Sequence, residues 1–388
     1  MNLRAIIFLI FILAIYFGMH VFFYFSILHF FSITEQKIKW TLGIVFFVLS
    51  VGFITAMILT RLSSFILIKY FYIIAAFWTG LAATIFLAFA LAWILILFFR
   101  SYDIKLIAGV LALLLPILYG IYGAWNAFNP NIKNIEVNIA GLPSNWHGKK
   151  IVQLSDVHLG RIHGVSFAEK VVEKVNSVKP DIVLITGDLF DGMGSNIPEF
   201  INTLNKLKST YGTYFITGNH EVYLGLDYVI SNLKSAKIHI LDNEAVNVDG
   251  LQLVGLSYPE FGELRDSSFL ENIPGHNPSL PNILMYHSPT SIGQNHNDVS
   301  DQHSSIYWSP DVNFDIAKRN GINLQLSGHT HKGQIFPFSL IADYIYKGYD
   351  YGLVSEGNFN IYTTSGVGTW GPPMRTGSNS EIVAITLQ

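Results

Sequence analysis

No cysteine occurs anywhere in the 388 residues. That excludes a disulfide-stapled scaffold and any cysteine nucleophile. Charge is scarce too: Asp, Glu, Lys and Arg make up 13% of the chain, against roughly a quarter in an ordinary soluble domain. With 51% hydrophobic residues, this deficit excludes a wholly soluble protein and a disordered tail. It also has a location. Residues 1–125 hold seven basic and two acidic side chains, whereas 126–388 hold 17 basic and 25 acidic. The formal charge of −3 averages these two unlike parts. The acidic rear argues against nucleic acid as a partner.

Four apolar runs fill the front: 5–31, 40–60, 71–99 and 106–123. Each is near or above the ~20 residues that cross a bilayer core as helix. An all-α bundle of four transmembrane helices is therefore expected over 1–125, with the lipid bilayer as partner. The first run is too long for a cleavable signal peptide, and further runs follow it. Pro116 suggests a kink in the fourth. Four passes put the N-terminus and the C-terminal segment on one side. With both inside, the inner flanks carry Arg4, Arg61, Lys69, Lys133, Lys149 and Lys150. The outer loops then carry Lys37, Lys39, Arg100 and Lys105. That balance favours a cytoplasmic C-terminal domain. His20 and His29 invite a haem or metal pair, but at about 100° per residue they fall on opposite helix faces. Packed or interfacial histidines are expected instead. The spans carry almost no charge, which speaks against a channel or transporter.

The pattern changes after Asn129-Pro130. A linker is expected over 126–145 and an α/β domain over 146–388. Strands are predicted at 150–154, 182–185, 213–216, 251–256, 283–286, 324–326, 359–363 and 382–387. Helices are predicted at 166–177, 197–208, 225–233 and 311–319. The polar stretch 294–309, with His296, Asp298, Asp301 and His303, is expected to be a solvated loop or lid, the alternative being a second metal site.

Polar residues recur where the apolar strands end. The first strand runs into Asp156-Val157-His158. The second runs into Gly187-Asp188 and then Asp191, and the third into Gly218-Asn219-His220-Glu221. A later strand ends at His287, and another at Gly328-His329-Thr330-His331. Ligand sites of open α/β sheets lie at the carboxyl ends of strands. Convergence there would unite carboxylates, one amide and four or five imidazoles. That donor mixture suits Mn, Fe or Zn and poorly suits an all-oxygen Ca site. So many donors exceed one ion and suit two, which can clamp a phosphate for in-line displacement. Singly, each piece has a plainer explanation: Asp-x-His as a structural pair, Gly-Asn-His as a turn. All five in order, each after an apolar strand, do not.

On these motifs the chain resembles the calcineurin-like metallophosphoesterases over about residues 145–388. Ser365-Gly366-Val367-Gly368-Thr369, Gly371-Pro372-Pro373 with Arg375, Glu381-Ile382 and His331-Lys332-Gly333-Gln334 make it most similar to the bacterial membrane-associated YkuE- and YaeI-like branch. The resemblance implies a two-sheet sandwich flanked by helices, in a bacterial cell membrane protein. It implies a first metal on Asp156, His158 and His331, and a second on Asn219, His287 and His329, with Asp188 between them. The nucleophile would be a hydroxide shared by the metals. His220 would face the substrate as proton donor or charge stabiliser, oriented by Asp191. Arg375 either grips a substrate phosphate or pairs with Glu381. Trp370 and the tyrosines of 344–351 are expected in the core, the alternative being an apolar approach for a lipid. The expected activity is hydrolysis of a phosphate ester or pyrophosphate bond, on a small-molecule or lipid-linked substrate. The competing class is a membrane receptor whose phosphoesterase fold binds a ligand without turnover.

Overall fold

A computed structural model describes residues 3–63, 65–99, 101–192, 195–260, 263, 265–293 and 310–388. The polar stretch 294–309 lies outside the described residues. The chain divides into two compact units, Met1–Trp125 with Gly371–Thr376, and Asn126–Trp370 with Gly377–Gln388.

The first unit is built on α1 (Leu3–Phe30), α2 (Gln36–Leu62), α3 (Ile66–Phe98) and α4 (Tyr102–Ala127). All four are long and apolar enough to cross a membrane. Small residues such as Ala56, Ala76, Gly80 and Ala82 are among the buried positions of these helices, and small residues let elements pack closely where apolar area alone cannot drive association in lipid. α4 continues through Pro116. His20 is buried, whereas His29 is exposed beside an aromatic neighbour. His20 Nδ1 donates to the Tyr16 carbonyl at 2.8 Å, and its Nε2 accepts from Trp78 Nε1 at 3.0 Å. His29 stacks on Trp93 with ring centroids 4.3 Å apart.

The second unit holds β1 (Asn131–Val137), β2 (Lys150–Leu154), β3 (Ile182–Thr186), β4 (Thr213–Ile216), β5 (His239–Ile240), β6 (Glu244–Val248), β7 (Leu251–Leu256), β8 (Asn282–Tyr286), β9 (Ile322–Ser327), β10 (Gly352–Glu356), β11 (Phe359–Thr363) and β12 (Glu381–Leu387). They form two six-stranded sheets, ordered β1-β12-β2-β3-β4-β5 and β10-β11-β9-β8-β7-β6. β2, β3 and β4 run parallel in one sheet; β7, β8 and β9 run parallel in the other. Ile151, Ile182, Leu184 and Ile216 meet Leu253, Ile283, Met285 and Leu324 between the sheets. Val152, Val183 and Ile185 pack outward on helices 165–178, 198–204 and 226–233. Leu284 and Leu256 pack outward with Phe314 and Ala317. Strands covered on both faces are largely apolar, with buried Gln153 and Gln325 as exceptions, which is why they read as hydrophobic runs. This is the expected sandwich.

The stretch 126–145 differs from the linker expected there. It contains β1, which pairs in parallel with the C-terminal β12, and Trp146 just beyond it is fully buried. β1 escaped prediction because it is a largely exposed edge strand without an apolar run.

Candidate metal centre

All five motif segments leave the carboxyl ends of parallel strands: β2, β3 and β4 from one sheet, β8 and β9 from the other. Local backbone geometry is unusual there. Asp156, His158, Asp188, His329 and His331 all have positive φ, between 49° and 72°. Such conformations cost side-chain-bearing residues about 1 kcal/mol or more each and gather at functional sites. Here they turn each side chain back across the strand ends. Gly187, at φ +91°, could not carry a Cβ without striking the His287 imidazole. A Cβ on Gly328 would collide with the Asp156 carboxylate.

Three groups of potential ligands result, each with its donor atoms within 4.8 Å of one another: Asp156, His158 and His331; Asp188, His287 and His329; His158, Asp191 and His220. In the first, His158 Nε2 faces His331 Nε2 at 3.0 Å, and Asp156 Oδ1 lies 3.2 Å from His331 Nε2. In the second, His287 Nε2 is 3.1 Å from Asp188 Oδ2. The same Asp188 oxygen lies 3.9 Å from His158 Nε2, so this carboxylate reaches both groups. Asn219 Oδ1 joins the second through His329 Nδ1 at 2.9 Å.

The donors fit a divalent metal. Bonds of about 2.0–2.2 Å to one ion put neighbouring ligand atoms about 3.0–3.5 Å apart. His287 Nδ1 is committed to the Thr186 carbonyl at 2.8 Å. In the neutral ring its Nε2 lone pair then faces the Asp188 carboxylate, an orientation that calls for a proton or a metal cation between them. That Nε2 is buried with no hydrogen-bond partner, as is Nδ1 of His158. Electrostatics agree. Burial works against charge on Asp156 and Asp188, yet His331 beside the first and His287 beside the second hold both well below the usual carboxylate range. Burial, with His287 adding to it, lowers His329 to about 3, and burial with His220 lowers His158, so both rings keep free lone pairs. Burial also opposes charge on His287, but Asp188 outweighs it and raises the ring to about 9, so without an ion a proton on Nε2 occupies the place between ring and carboxylate that a metal would take.

His220 and Asp191 stand beside these groups. His220 Nδ1 accepts the Gly192 N–H at 3.1 Å, while Asp191 Oδ1 lies 3.6 Å away, beyond hydrogen-bond range. Two influences oppose each other here. The Gly192 bond favours a neutral ring with its proton on Nε2. Asp188 and Asp191 overcome burial to raise the ring to about 9. Nε2 carries a hydrogen in both forms; in the charged form Nδ1 carries one as well and no longer accepts from Gly192.

Glu221 is a participant that sequence reasoning quoted without a role. It is fully buried and accepts three backbone N–H bonds, from Asp188 at 2.9 Å, Gly218 at 2.7 Å and Phe190 at 3.0 Å. It thus joins the turns after β3 and β4. The available signal was an acid three residues into the short helix Asn219–Leu224, the capping position.

Arg375 is fully buried, in the Gly371–Thr376 segment of the first unit, where its N–H donates to the Gly123 carbonyl at 2.9 Å. Glu381 accepts from Thr364 Oγ1 at 2.8 Å, the Ser365 N–H at 3.1 Å and Tyr351 at 3.0 Å. The loop before it continues to Gly368, whose N–H binds the Asp156 carbonyl at 2.7 Å. Two aromatics expected in the core are outside it: Tyr344 is 84% and Trp370 54% exposed. Tyr344 lies on the outer face of a surface helix, whereas Tyr346, two residues on, is buried.

A model of the calcineurin-like phosphoesterase family matches residues 149–333. An uncharacterized metallophosphoesterase of Helicobacter pylori is 35% identical over 272 residues, taking in 68% of this chain and 66% of that one. A transmembrane protein with metallophosphoesterase domain from Danio rerio is 33% identical over 301 residues, with shares of 72% and 62%. The uncharacterized metallophosphoesterase YkuE of Bacillus subtilis is 28% identical over 264 residues, with shares of 64% and 82%. The chain thus spans a little under two thirds of the length of the first two relatives.

Proposed function

The chain belongs to the calcineurin-like metallophosphoesterases, and from that premise we propose that its C-terminal domain hydrolyses phosphate ester or pyrophosphate bonds with two metal ions. Asp156, His158 and His331 would hold one ion, Asn219, His287 and His329 the other, and Asp188 both. Mn, Fe or Zn suits the mixed donors. When bound, two such ions supply the charge that neutralises a phosphate and the Lewis acidity that makes water a nucleophile near neutral pH. The observation that carries the proposal is the buried His287 Nε2 facing Asp188 Oδ2 at 3.1 Å while Nδ1 is held by Thr186.

The chain's own groups do the rest. Thr186 fixes the tautomer of His287. Asp156 accepts the His329 N–H on both oxygens at 3.1 Å, which holds the β9 turn. His220 offers its Nε2–H to a phosphoryl or leaving oxygen, with Gly192 orienting the ring and Asp191 raising its hold on the proton.

The substrate we favour is lipid-linked. Four membrane-crossing helices support this. So do the exposed apolar side chains that follow the His331 turn, namely Phe336, Phe338, Leu340, Ile341 and Tyr344. Trp370 is joined to that turn by paired bonds with Gln334, each 3.1 Å. The basic flanks of the spans support a cytoplasmic domain on a bacterial cell membrane. A C-terminal reporter active only outside the cytoplasm overturns that orientation. For the activity, detergent-solubilised protein with Mn is offered phosphomonoesters, phosphodiesters and lipid pyrophosphates, with Asp188→Ala as control. Turnover lost in the variant is expected. Metal and ligand binding without turnover on any substrate would favour the receptor instead.

A further inference from the structure

Beside the ligand cluster lies a separate cavity of about 50 Å³, whose walls include Tyr258, Glu263, Arg265, Tyr286, Ser288 and Thr290. Arg265 is the basic residue among its lining, which also holds the acids Glu263 and Asp311, and is only 3% exposed. Its Nε donates to Glu263 Oε1 at 2.8 Å, and its guanidinium carbon lies 4.5 Å from the centroid of the Phe269 ring. The remaining fork is different: Nη1 and Nη2 are both buried with no hydrogen-bond partner among the described residues. The same holds for Oγ of Ser288, the residue after His287. A guanidinium cannot shed its proton, and a buried donor left unpaired is costly. Three unmatched donors on one small cavity form a cradle for an oxyanion, and the planar fork matches two oxygens of a phosphoryl group.

The nearby acids do not fill this role. Both Glu263 oxygens are engaged, one by Arg265 and the other by the Glu260 N–H at 3.0 Å. Asp311 is exposed at the rim and accepts the Asn313 N–H at 3.1 Å. A single water needs roughly 10–15 Å³, so the cavity has room for a larger polar group. It is also next to the ligand cluster. The Tyr258 ring forms part of its wall and sits 6.0 Å from the His287 ring and 6.1 Å from the His329 ring.

We propose that the Arg265–Ser288 cavity binds a second phosphoryl group of the substrate, adjoining the one attacked, and so selects diphosphates over simple monoesters. This deepens the hydrolase proposal and rests on it for location, but its test does not depend on turnover. The full-length, Mn-loaded protein is assayed on a monophosphate and a diphosphate of the same alcohol. It is also titrated calorimetrically with imidodiphosphate, which resists hydrolysis, and with inorganic phosphate. Arg265→Gln is expected to reduce kcat/KM on the diphosphate about 10- to 100-fold more than on the monophosphate, chiefly through KM. It should weaken imidodiphosphate binding by a similar factor relative to phosphate. Ser288→Ala, which removes only a hydroxyl and keeps the fold, should act in the same sense by about 3- to 10-fold. Equal effects on both substrates and both ligands, or no effect of either variant, would overturn the proposal. If neither substrate is turned over while the imidodiphosphate preference still depends on Arg265, the hydrolase reading fails and the anion site stands.

Discussion

Buried histidines occur in both units of this chain, and only in the second are they gathered with carboxylates as a metal centre would require. In the helical unit, both ring nitrogens of His20 have ordinary partners, a carbonyl for the donor and an indole N–H for the acceptor. His29 is spent on stacking against Trp93. In the second unit, the ring nitrogens face one another and face carboxylates: His158 against His331, His287 against Asp188. Burial therefore does not separate a packed histidine from a ligand. What separates them is whether the second nitrogen meets a group of the opposite hydrogen-bonding kind. Backbone strain follows part of this division, since His158, His329 and His331 have positive φ, whereas His287 and both helical histidines do not.

The comparison breaks or holds on metal content. Asp188→Ala should have the largest effect, because this carboxylate reaches both ligand groups. We expect activity to fall by more than about 100-fold, beyond the usual loss on removing a group that only supports a ligand, with bound metal falling in elemental analysis. Full metal content and activity in this variant would end the proposed arrangement. Glu221→Gln comes next. The carboxamide keeps one acceptor but turns an NH₂ toward N–H groups now held by a carboxylate. Metal affinity should drop about 10- to 100-fold in chelator competition, with the fold retained by circular dichroism.

The candidate site was more legible in the sequence than the sheet edges were, for a physical reason. Asp156, Asp188, Asn219, His287 and His329 follow strands that are mostly apolar because both faces are covered, so each polar ending stood out. β1, β6 and β10 lie at sheet edges with mixed exposure and carry no such contrast. Arg265 and Ser288 carry no local signal at all. Their connection exists only after β7 and β8 pair and bring Tyr258 and Arg265 beside the end of β8. Tyr344 and Trp370 were assigned to the core on aromaticity, which does not say which side of a surface segment faces water.

A third prediction contrasts two buried carboxylates. Asp188 is surrounded by imidazoles, whereas Asp350 is 2% exposed with an unpartnered Oδ2. Burial, with Asp343 adding to it and Lys332 opposing, raises Asp350 from 3.8 to about 6. A raised carboxyl contributes stability that is fully present below its unfolded value and lost as pH rises through its folded value. Asp350→Asn should therefore gain stability over the parent as pH rises from about 4 to 6 and keep that gain above 6. The difference is at most about 3 kcal/mol, measured as thermal unfolding of the two proteins at pH 4.5 and 7.5. A gain that is independent of pH would show that the carboxyl keeps its ordinary affinity for protons.

His20→Phe should have the smallest effect and tests the other side of the comparison. Phenylalanine keeps a ring where His20 packs 4.8 Å from Tyr16 and 5.7 Å from Phe23. It removes the bond to the Tyr16 carbonyl and leaves the Trp78 N–H without its acceptor. Polar bonds between membrane helices average under about 1 kcal/mol because the separated helices also find partners. A loss of about 1 kcal/mol in detergent unfolding is therefore expected, with metal content and phosphoesterase activity at parental levels. If His20→Phe instead releases metal, the ring was a ligand despite its two satisfied nitrogens. The hydrogen-bond criterion that separates the two sets of histidines would then be wrong for this protein.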